Sequence, residues 1–214
     1  MPRDTREKLL AHAEFLVRMR GYAGFSYADL AEAIGIRKAS IHHHFPTKED
    51  LGLALVEAYG ERYDRALAEI ERATADGLKR VEAYADLYLH GLEEEQGCLA
   101  AALATELGIL PDPIRAGVAE FFERHIAWLT HVLAEGRANG TIRHDVVPAH
   151  SARLIIAALE GALLMERLLG GPPGFKDTLS ALRKSLQETP PAPLPASRRR
   201  PASEGASRST RAGN

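Results

Sequence analysis

The chain is predicted to be all-α, with about nine helices arranged as a small N-terminal head, a larger helical body and a disordered tail. Three observations indicate this. Apolar residues recur at helical spacing along most of the 214 residues. Gly, Pro and Asn-Gly breaks separate these stretches, and no alternating apolar pattern is long enough for a strand. From Thr189 onward the chain is mainly Pro, Ala, Ser and Arg, a composition that buries too little surface to fold.

The composition favours a protein of the cytoplasm with no membrane contact. The chain has no apolar run of eighteen residues and no signal peptide with a charged start and a cleavage site. Its single cysteine excludes an internal disulfide. Residues 51–190 carry fourteen Lys/Arg against twenty-one Asp/Glu, whereas residues 1–50 carry eight against seven. An acidic body with a less acidic head fits a protein that presents one end to nucleic acid.

The first two helices follow from apolar spacing and from a cap. Residues 4–20 repeat apolar side chains near the helical period, and we expect this stripe, which includes Phe15, to face the core. Gly21 interrupts the pattern. Ser26 then begins the second helix, with Asp29 three residues on in the arrangement of a capping box.

The third and fourth helices are separated by a proline. Residues 37–44 form a short helix that stops before Pro46, because proline disfavours helical geometry at the preceding residue. Thr47 caps the fourth helix, whose acidic first turn suits the helix dipole and whose pattern continues to about residue 73.

Five further helices complete the body. Glycines, prolines and Asn139-Gly140 mark the breaks between them. We place these helices near residues 77–93, 98–108, 112–139, 148–169 and 175–187. The helix at 148–169 contains the run 154–165, which is apolar nearly all round, and this predicts a helix buried on every side.

The segment from Gly35 to Leu51 carries the pattern of a helix-turn-helix. Ala31 and Gly35 lie four apart, where the motif needs a small residue for close packing and a glycine to turn the corner. Ile36 and Ile41 then anchor the second helix of the motif on the first. The polar residues left outside are Arg37, Lys38, Ser40, His42 and His43. This arrangement predicts a DNA-binding protein.

A recognition helix of two turns can show three or four side chains to base edges. The candidates for base contacts are Arg37, Lys38, Ser40 and His42. We expect His43 to lie nearer the DNA backbone. Ala39 has no side chain to hold the helix away from DNA, so the backbone can approach closely.

Phosphate contacts are expected at two helix starts. Lys48 and the free amides at the beginning of the fourth helix suit a phosphate, as does the amino end of the second helix at Ser26 and Tyr27.

The three consecutive histidines from His42 to His44 do not predict a metal site. Adjacent helical residues point about 100° apart, whereas metal ligands on a helix are three or four residues apart. We expect His44 to face the core of the head beside Phe45. The sequence predicts neither a metal nor a cofactor.

The chain resembles the TetR family of transcriptional regulators. In that family a Thr or Ser opens helix two, followed by Ile-Ala, Gly-Val-Ser-Lys-Gly-Thr-Leu-Tyr-His-His-Phe and Pro-Ser-Lys-Glu-x-Leu. The matching positions here are Ser26, Leu30-Ala31, 35–45 and 46–51. Two positions depart from the pattern: His42 replaces the aromatic Tyr, and Arg37 replaces the Ser before the lysine. The preferred operator should therefore differ.

The resemblance implies a domain organisation and a function. Residues 3–62 would form the DNA-binding domain, with the helix-turn-helix at 26–45. Residues 63–188 would bind an effector and dimerise, and 189–214 would form the Pro/Ser/Arg-rich tail. The implied protein is a homodimeric repressor that a small molecule releases from a near-palindromic operator. The resemblance places the dimer interface on the last two helices, about 148–187.

Candidates for the effector site follow from polar and aromatic residues in the body. One long helix carries Phe121, Phe122, His125 and Trp128, and its polar members would be unusual in a purely packed core. Met165 and Glu166 lie on a later helix. The alternative is that each aromatic side chain belongs to the core.

Cys98 is a further candidate, as an effector contact or as a sensor of oxidants and electrophiles. It stands at the expected start of a helix, where a thiolate is favoured, although three nearby glutamates would oppose that charge. The alternative is a small buried residue of ordinary packing. A third hypothesis is a helical interaction module whose head no longer reads a DNA sequence.

Overall fold

The architecture comes from a computed structural model that describes residues 2–94 and 96–187. The predicted tail, 189–214, lies outside the described residues. The described part of the chain holds nine α-helices and no strand, which confirms the predicted fold class. The helices are α1 Pro2–Arg20, α2 Tyr27–Ile34, α3 Lys38–His44, α4 Lys48–Ala73, α5 Gly77–Glu93, α6 Leu99–Ala104, α7 Asp112–Ala138, α8 Pro148–Leu169 and α9 Pro172–Leu186.

Two helix boundaries differ from the prediction by more than two residues. Helix α6 ends at Ala104 rather than near 108, and turns occupy the residues that follow. Thr105 caps this end: its amide donates to the Ala101 carbonyl and its hydroxyl donates to the Ala102 carbonyl. Helix α9 starts three residues early, because Pro172 and Pro173 fit a first helical turn, where no amide donor is required.

The apolar stripe of α1 is narrower than predicted. Leu9, Ala13, Leu16 and Val17 are buried, at the spacing of one helix face. Phe15 is 53% exposed, so the prediction that it faces the core was wrong. Two residues along a helix correspond to about 200° of rotation, and this places Phe15 opposite the buried Ala13 and Val17.

The body is built around α7, which packs against α4, α5 and α8, while α9 lies against α5 and α8. The prediction that α8 is buried on every side was wrong for the single chain. Leu154, Leu164, Leu168 and Leu169 are 61%, 66%, 86% and 75% exposed. These side chains occupy a face of α8 that the chain's own core does not cover.

None of the helices in residues 2–94 and 96–187 combines the length and hydropathy needed to cross a membrane.

Candidate DNA interface and effector site

The helix-turn-helix is ordered by local hydrogen bonds at its corners. Ser26 caps α2 in a complete capping box with Asp29. Gly35 ends α2 in the left-handed conformation at φ 75°, and its amide donates to the Ala31 carbonyl at 3.0 Å. A side chain would be strained at this φ, so the corner needs glycine. Ile41 is fully buried and fastens α3 to the head.

The outward face at α3 presents the residues predicted to contact or closely approach DNA. Every one of them is exposed: Arg37, Lys38, Ala39, Ser40, His42 and His43. The anchoring contact is made by Ile41 instead. The exposed set can therefore contact DNA without disturbing the core of the head.

His42 is held in one orientation by its neighbours. Its Nδ1 lies 3.0 Å from the Pro46 carbonyl oxygen, and its ring centroid is 4.8 Å from that of Tyr27. A carbonyl oxygen only accepts, so Nδ1 carries the proton and donates. In the neutral ring Nε2 is then an acceptor, available to a donor on a base or a sugar.

Tyr27 and Ser26 already have protein partners. The Tyr27 hydroxyl lies 2.9 Å from the Phe45 carbonyl oxygen and 2.5 Å from that of Thr47, so it joins α2 to the segment after α3. The Ser26 hydroxyl donates to the Asp29 carboxylate at 2.6 Å. Direct phosphate contacts from these side chains would compete with the bonds that order the motif.

Lys48 is half-buried against the loop between α1 and α2. Its ammonium donates to the Phe25 carbonyl and lies 4.3 Å from the Phe25 ring centroid and 4.8 Å from that of Tyr22. Burial lowers the pKa of Lys48, and the negative charges of Glu106 and Asp29 oppose that effect. Lys48 thus holds this loop in place, and its phosphate contact stays a prediction.

The three histidines do not converge. The rings of His43 and His44 lie 5.5 Å apart at their centroids, and His44 is half-buried next to the buried Phe45. Across the described residues, no three His, Cys, Asp or Glu side chains are grouped as metal ligands would be.

The body contains a cluster of aromatic and polar side chains drawn from three helices. It consists of Tyr59 and Tyr63 from α4, Tyr84 and Tyr88 from α5, and Phe121, His125 and Trp128 from α7. We call it the aromatic cluster. Three of the predicted effector residues, Phe121, His125 and Trp128, are its members. Phe122 packs beside it, with its ring centroid 5.5 Å from that of Phe121.

His125 is the polar centre of the aromatic cluster. It is 1% exposed, its Nδ1 is 2.9 Å from the Tyr84 hydroxyl, and Tyr84 is 3.1 Å from the Tyr88 hydroxyl. Burial lowers the pKa of His125 to about 4, so the ring is neutral near pH 7. His125 Nε2 and Trp128 Nε1 are buried and find no hydrogen-bond partner among the described residues.

Cys98 caps α6 and shares a polar site with Glu160 of α8. The Tyr59 hydroxyl lies 3.5 Å from Cys98 Sγ. Burial raises the pKa of the Glu160 carboxyl, and the nearby Cys98 and Tyr88 side chains oppose that rise. Burial, and then the charge of Glu160, raise the pKa of the thiol. The helix start was expected to favour a thiolate, but burial has the larger effect, and Cys98 remains protonated.

Met165 and Glu166 are not brought together with the other predicted effector residues. Met165 is 50% exposed, on the open side of α8. Glu166 lies against Gly174 near the start of α9. Both follow Glu160 by more than one helical turn, and this spacing carries them away from the polar site.

Sequence reasoning missed several residues of these sites. Tyr59 with Tyr63 and Tyr84 with Tyr88 are each four residues apart, a spacing that places each pair on one helix face and could have been noticed. Glu160 is the sole charged residue in the run from Leu154 to Met165, which is also a visible signal.

The fold and its exposed, polar α3 define a helix-turn-helix DNA-binding protein with a separate helical body. Both parts match sequence models of one family. The model described as bacterial regulatory proteins, tetR family, matches residues 9–55, and that of the tetracyclin repressor-like C-terminal domain matches residues 77–182. The chain belongs to the TetR family, and it is a DNA-binding transcriptional regulator.

Individual relatives agree with this assignment. The transcriptional regulator AcuR of Cereibacter sphaeroides is 31% identical over 183 residues, which cover 78% of this chain and 81% of the relative. The HTH-type transcriptional repressor DhaR of Mycobacterium sp. is 27% identical over 165 residues, covering 77% and 83%. A crystal structure of a TetR-family regulator from Agrobacterium tumefaciens is 32% identical, with a TM-score of 0.84 and coverage of 88% and 100%.

Proposed function

We propose that the protein is a homodimeric repressor that binds a near-palindromic operator and is released from it by a small-molecule effector bound in the body. Regulators of the family bind operators and act as dimers with small-molecule effectors. A two-fold dimer presents two copies of α3, which would read half-sites about one helical turn, roughly 34–36 Å, apart.

The exposed face of α3 is the observation that carries the proposal. A short helix held by Ile41 and the Gly35 corner projects Arg37, Lys38 and Ser40 into solvent. An arginine can bind guanine through two hydrogen bonds, which is worth about 1–3 kcal/mol of discrimination against another base. We propose that Arg37 makes this contact and that His43 and Lys48 lie near the phosphates.

Selection of bound sequences from random DNA tests the proposal. The wild type should enrich a near-palindrome. Arg37→Ala should bind that DNA about tenfold or more weakly, as expected for the loss of a base contact, and should lose preference at one position of each half-site. Arg65→Ala, at an exposed position of α4, is the matched control and should bind like the wild type. Equal affinity of the wild type for selected and scrambled DNA would instead favour an interaction module without sequence readout.

We place the dimer interface on α8 and α9. The exposed leucines of α8 would be covered by a second copy, because monomers rarely leave a patch of this kind in water. Two small residues of α8 differ in position: Ala157 is exposed and would allow a second copy to approach closely, whereas Ala162 packs inside the chain's own core. Leu164→Glu should give a monomer in sedimentation, and Ile109→Glu, at a 58% exposed position elsewhere, should remain dimeric.

A second candidate is a repressor that senses electrophiles or oxidants through Cys98. Its supporting observation is that Cys98 and Glu160 line the same cavity, so a small molecule bound there could reach the thiol. The raised thiol pKa argues for slow reaction at rest. Unchanged release of Cys98→Ser from DNA by every electrophile and oxidant that releases the wild type would eliminate this candidate.

A further inference from the structure

We propose that the cavity between α1, α6 and α8 is the effector site, and that the Glu106 carboxylate transmits its occupation to the DNA-binding head. The inference rests on the proposed function, since it names the place and the transmission of the effector response. The observation that supports it is the position of the Glu106 carboxylate, which belongs to the body and accepts hydrogen bonds from the backbone of the head.

The cavity has a volume of about 390 Å³, within the range of roughly 300–1,000 Å³ typical of ligand sites. Its walls are largely small or apolar side chains, together with Cys98. Arg18 and Glu160 also line it, and each has a buried polar atom, Nε and Oε1, that finds no partner in the described part of the chain. The Arg18 side chain is only 9% exposed.

These two atoms define a class of ligand. Arg18 Nε is a donor, and Glu160 Oε1 is an acceptor when the carboxyl is ionised. Unsatisfied buried polar groups are costly, so a ligand that satisfies both gains affinity. The fitting ligand is a small, mostly apolar molecule that carries an acceptor for Arg18 and a hydroxyl or amine donor for Glu160.

Glu106 joins the body to the loop between α1 and α2. Its Oε1 accepts from the Tyr22 amide at 2.6 Å, and its Oε2 accepts from the Ala23 amide at 3.0 Å. The preceding Gly21 has φ 79°, and a Cβ at that position would overlap the carboxylate. Glycine therefore supplies both the turn and the space that this contact needs.

The Glu106 contact lies at the edge of the cavity. Gly21 and Thr105, which line it, are the chain neighbours of Tyr22 and Glu106 respectively. A ligand that separates α1 from α6 must therefore move the carboxylate and the two amides relative to each other. Lys48, at the start of α4, holds the same loop at the Phe25 carbonyl, so movement of the loop reaches the segment that follows α3.

A cavity-filling substitution replaces the unidentified ligand in the test. Ala102 lines the cavity, and Ala102→Met would occupy part of its volume. Hydrogen exchange of the Tyr22 and Ala23 amides, followed by mass spectrometry on the dimer, reports directly on the Glu106 contact. Ala102→Met should accelerate their exchange about tenfold, a change typical of a weakened hydrogen bond to a charged group.

The decisive test compares the effect of Ala102→Met on amide exchange in two variants, Glu106→Gln and Glu120→Gln. In Glu106→Gln the exchange should already be fast, and adding Ala102→Met should change it little. In the control Glu120→Gln, at an exposed position of α7, Ala102→Met should keep its full effect. An equal effect of Ala102→Met in the Glu106→Gln and Glu120→Gln backgrounds would overturn the proposal. Ala101→Leu, also in the cavity wall, replaces Ala102→Met if that variant does not fold.

Binding to the selected operator gives the second readout. On its own, Ala102→Met should weaken operator binding about tenfold relative to the wild type, in line with common allosteric couplings. Combined with Glu106→Gln, it should cause no further loss of affinity. An additive effect would contradict transmission through Glu106. If the wild type selects no specific DNA, the proposed repressor function fails, while the exchange experiment still decides whether the cavity and the head are coupled.

Discussion

Replacing Glu160 by glutamine should remove a loss of stability that the wild type shows as pH rises. Burial raises the pKa of the Glu160 carboxyl from 4.5 to about 7, although hydrogen bonds from Cys98 and Tyr88 oppose the change. Because the folded chain holds this proton more tightly than the unfolded chain, the stabilising contribution is complete below about pH 4.5 and is lost as pH rises through about 7. At about 1.4 kcal/mol per pH unit across this interval, the loss is ~3 kcal/mol.

Urea unfolding of wild type and Glu160→Gln between about pH 5 and pH 8.5 measures this difference. Protein concentration must be constant, since the stability of a dimer depends on it. The free energy of unfolding of the wild type should fall relative to that of Glu160→Gln across the interval, with most of the change below about pH 7. Glu123→Gln, at an exposed site on α7, should parallel the wild type. Parallel curves for Glu160→Gln and the wild type would show that the carboxyl is not desolvated.

Three further substitutions test other contacts. His125→Phe should make the free energy of unfolding less sensitive to acid. The pKa of His125 is lowered to about 4, so the stability that the neutral ring contributes is complete above about pH 6.5 and is lost as pH falls through about 4. Urea unfolding of both proteins across this pH range measures the difference. Thr47→Ala should cost about 1 kcal/mol in thermal unfolding, because it breaks the capping box with Asp50; no change would mean that the cap contributes nothing. Gly21→Ala should lower the free energy of unfolding by more than about 1 kcal/mol, because φ is 79° at this position and the added Cβ would overlap Glu106. A stability equal to that of the wild type would refute the proposed strain.

The head could be predicted in detail because its signals are local. The Ser26 cap, the Gly35 corner and the Pro46 stop each act within four residues, and the spacing of Ile36 and Ile41 fixes which side of α3 is exposed. The error at Phe15 arose from counting apolar residues without their angles. Helix periodicity, applied strictly, would have placed that residue in solvent.

The aromatic cluster and the polar site at Glu160 could not be assembled from the sequence, because their members come from distant helices. Tyr59, Tyr84, His125 and Glu160 lie on α4, α5, α7 and α8, and local patterns give no information on which faces of these helices meet. The opposite error occurred on α8, where apolar residues all round the helix predicted burial within one chain. The pattern does not distinguish a chain's own core from a surface that a second copy can cover.

The structure separates the residues that hold the recognition helix from those that we propose read DNA. Ile41 is buried and tolerates little change, whereas Arg37 and Ser40 are exposed. Substitutions on that face can alter operator preference at small cost in stability, since exposed positions away from caps and cores usually change it by less than about 0.5 kcal/mol. His42 is different, because its ring contacts Tyr27 and its Nδ1 donates to Pro46. A change at His42 therefore affects the end of α3 as well as the proposed reading of DNA. The two departures from the family pattern, Arg37 and His42, thus have different physical consequences.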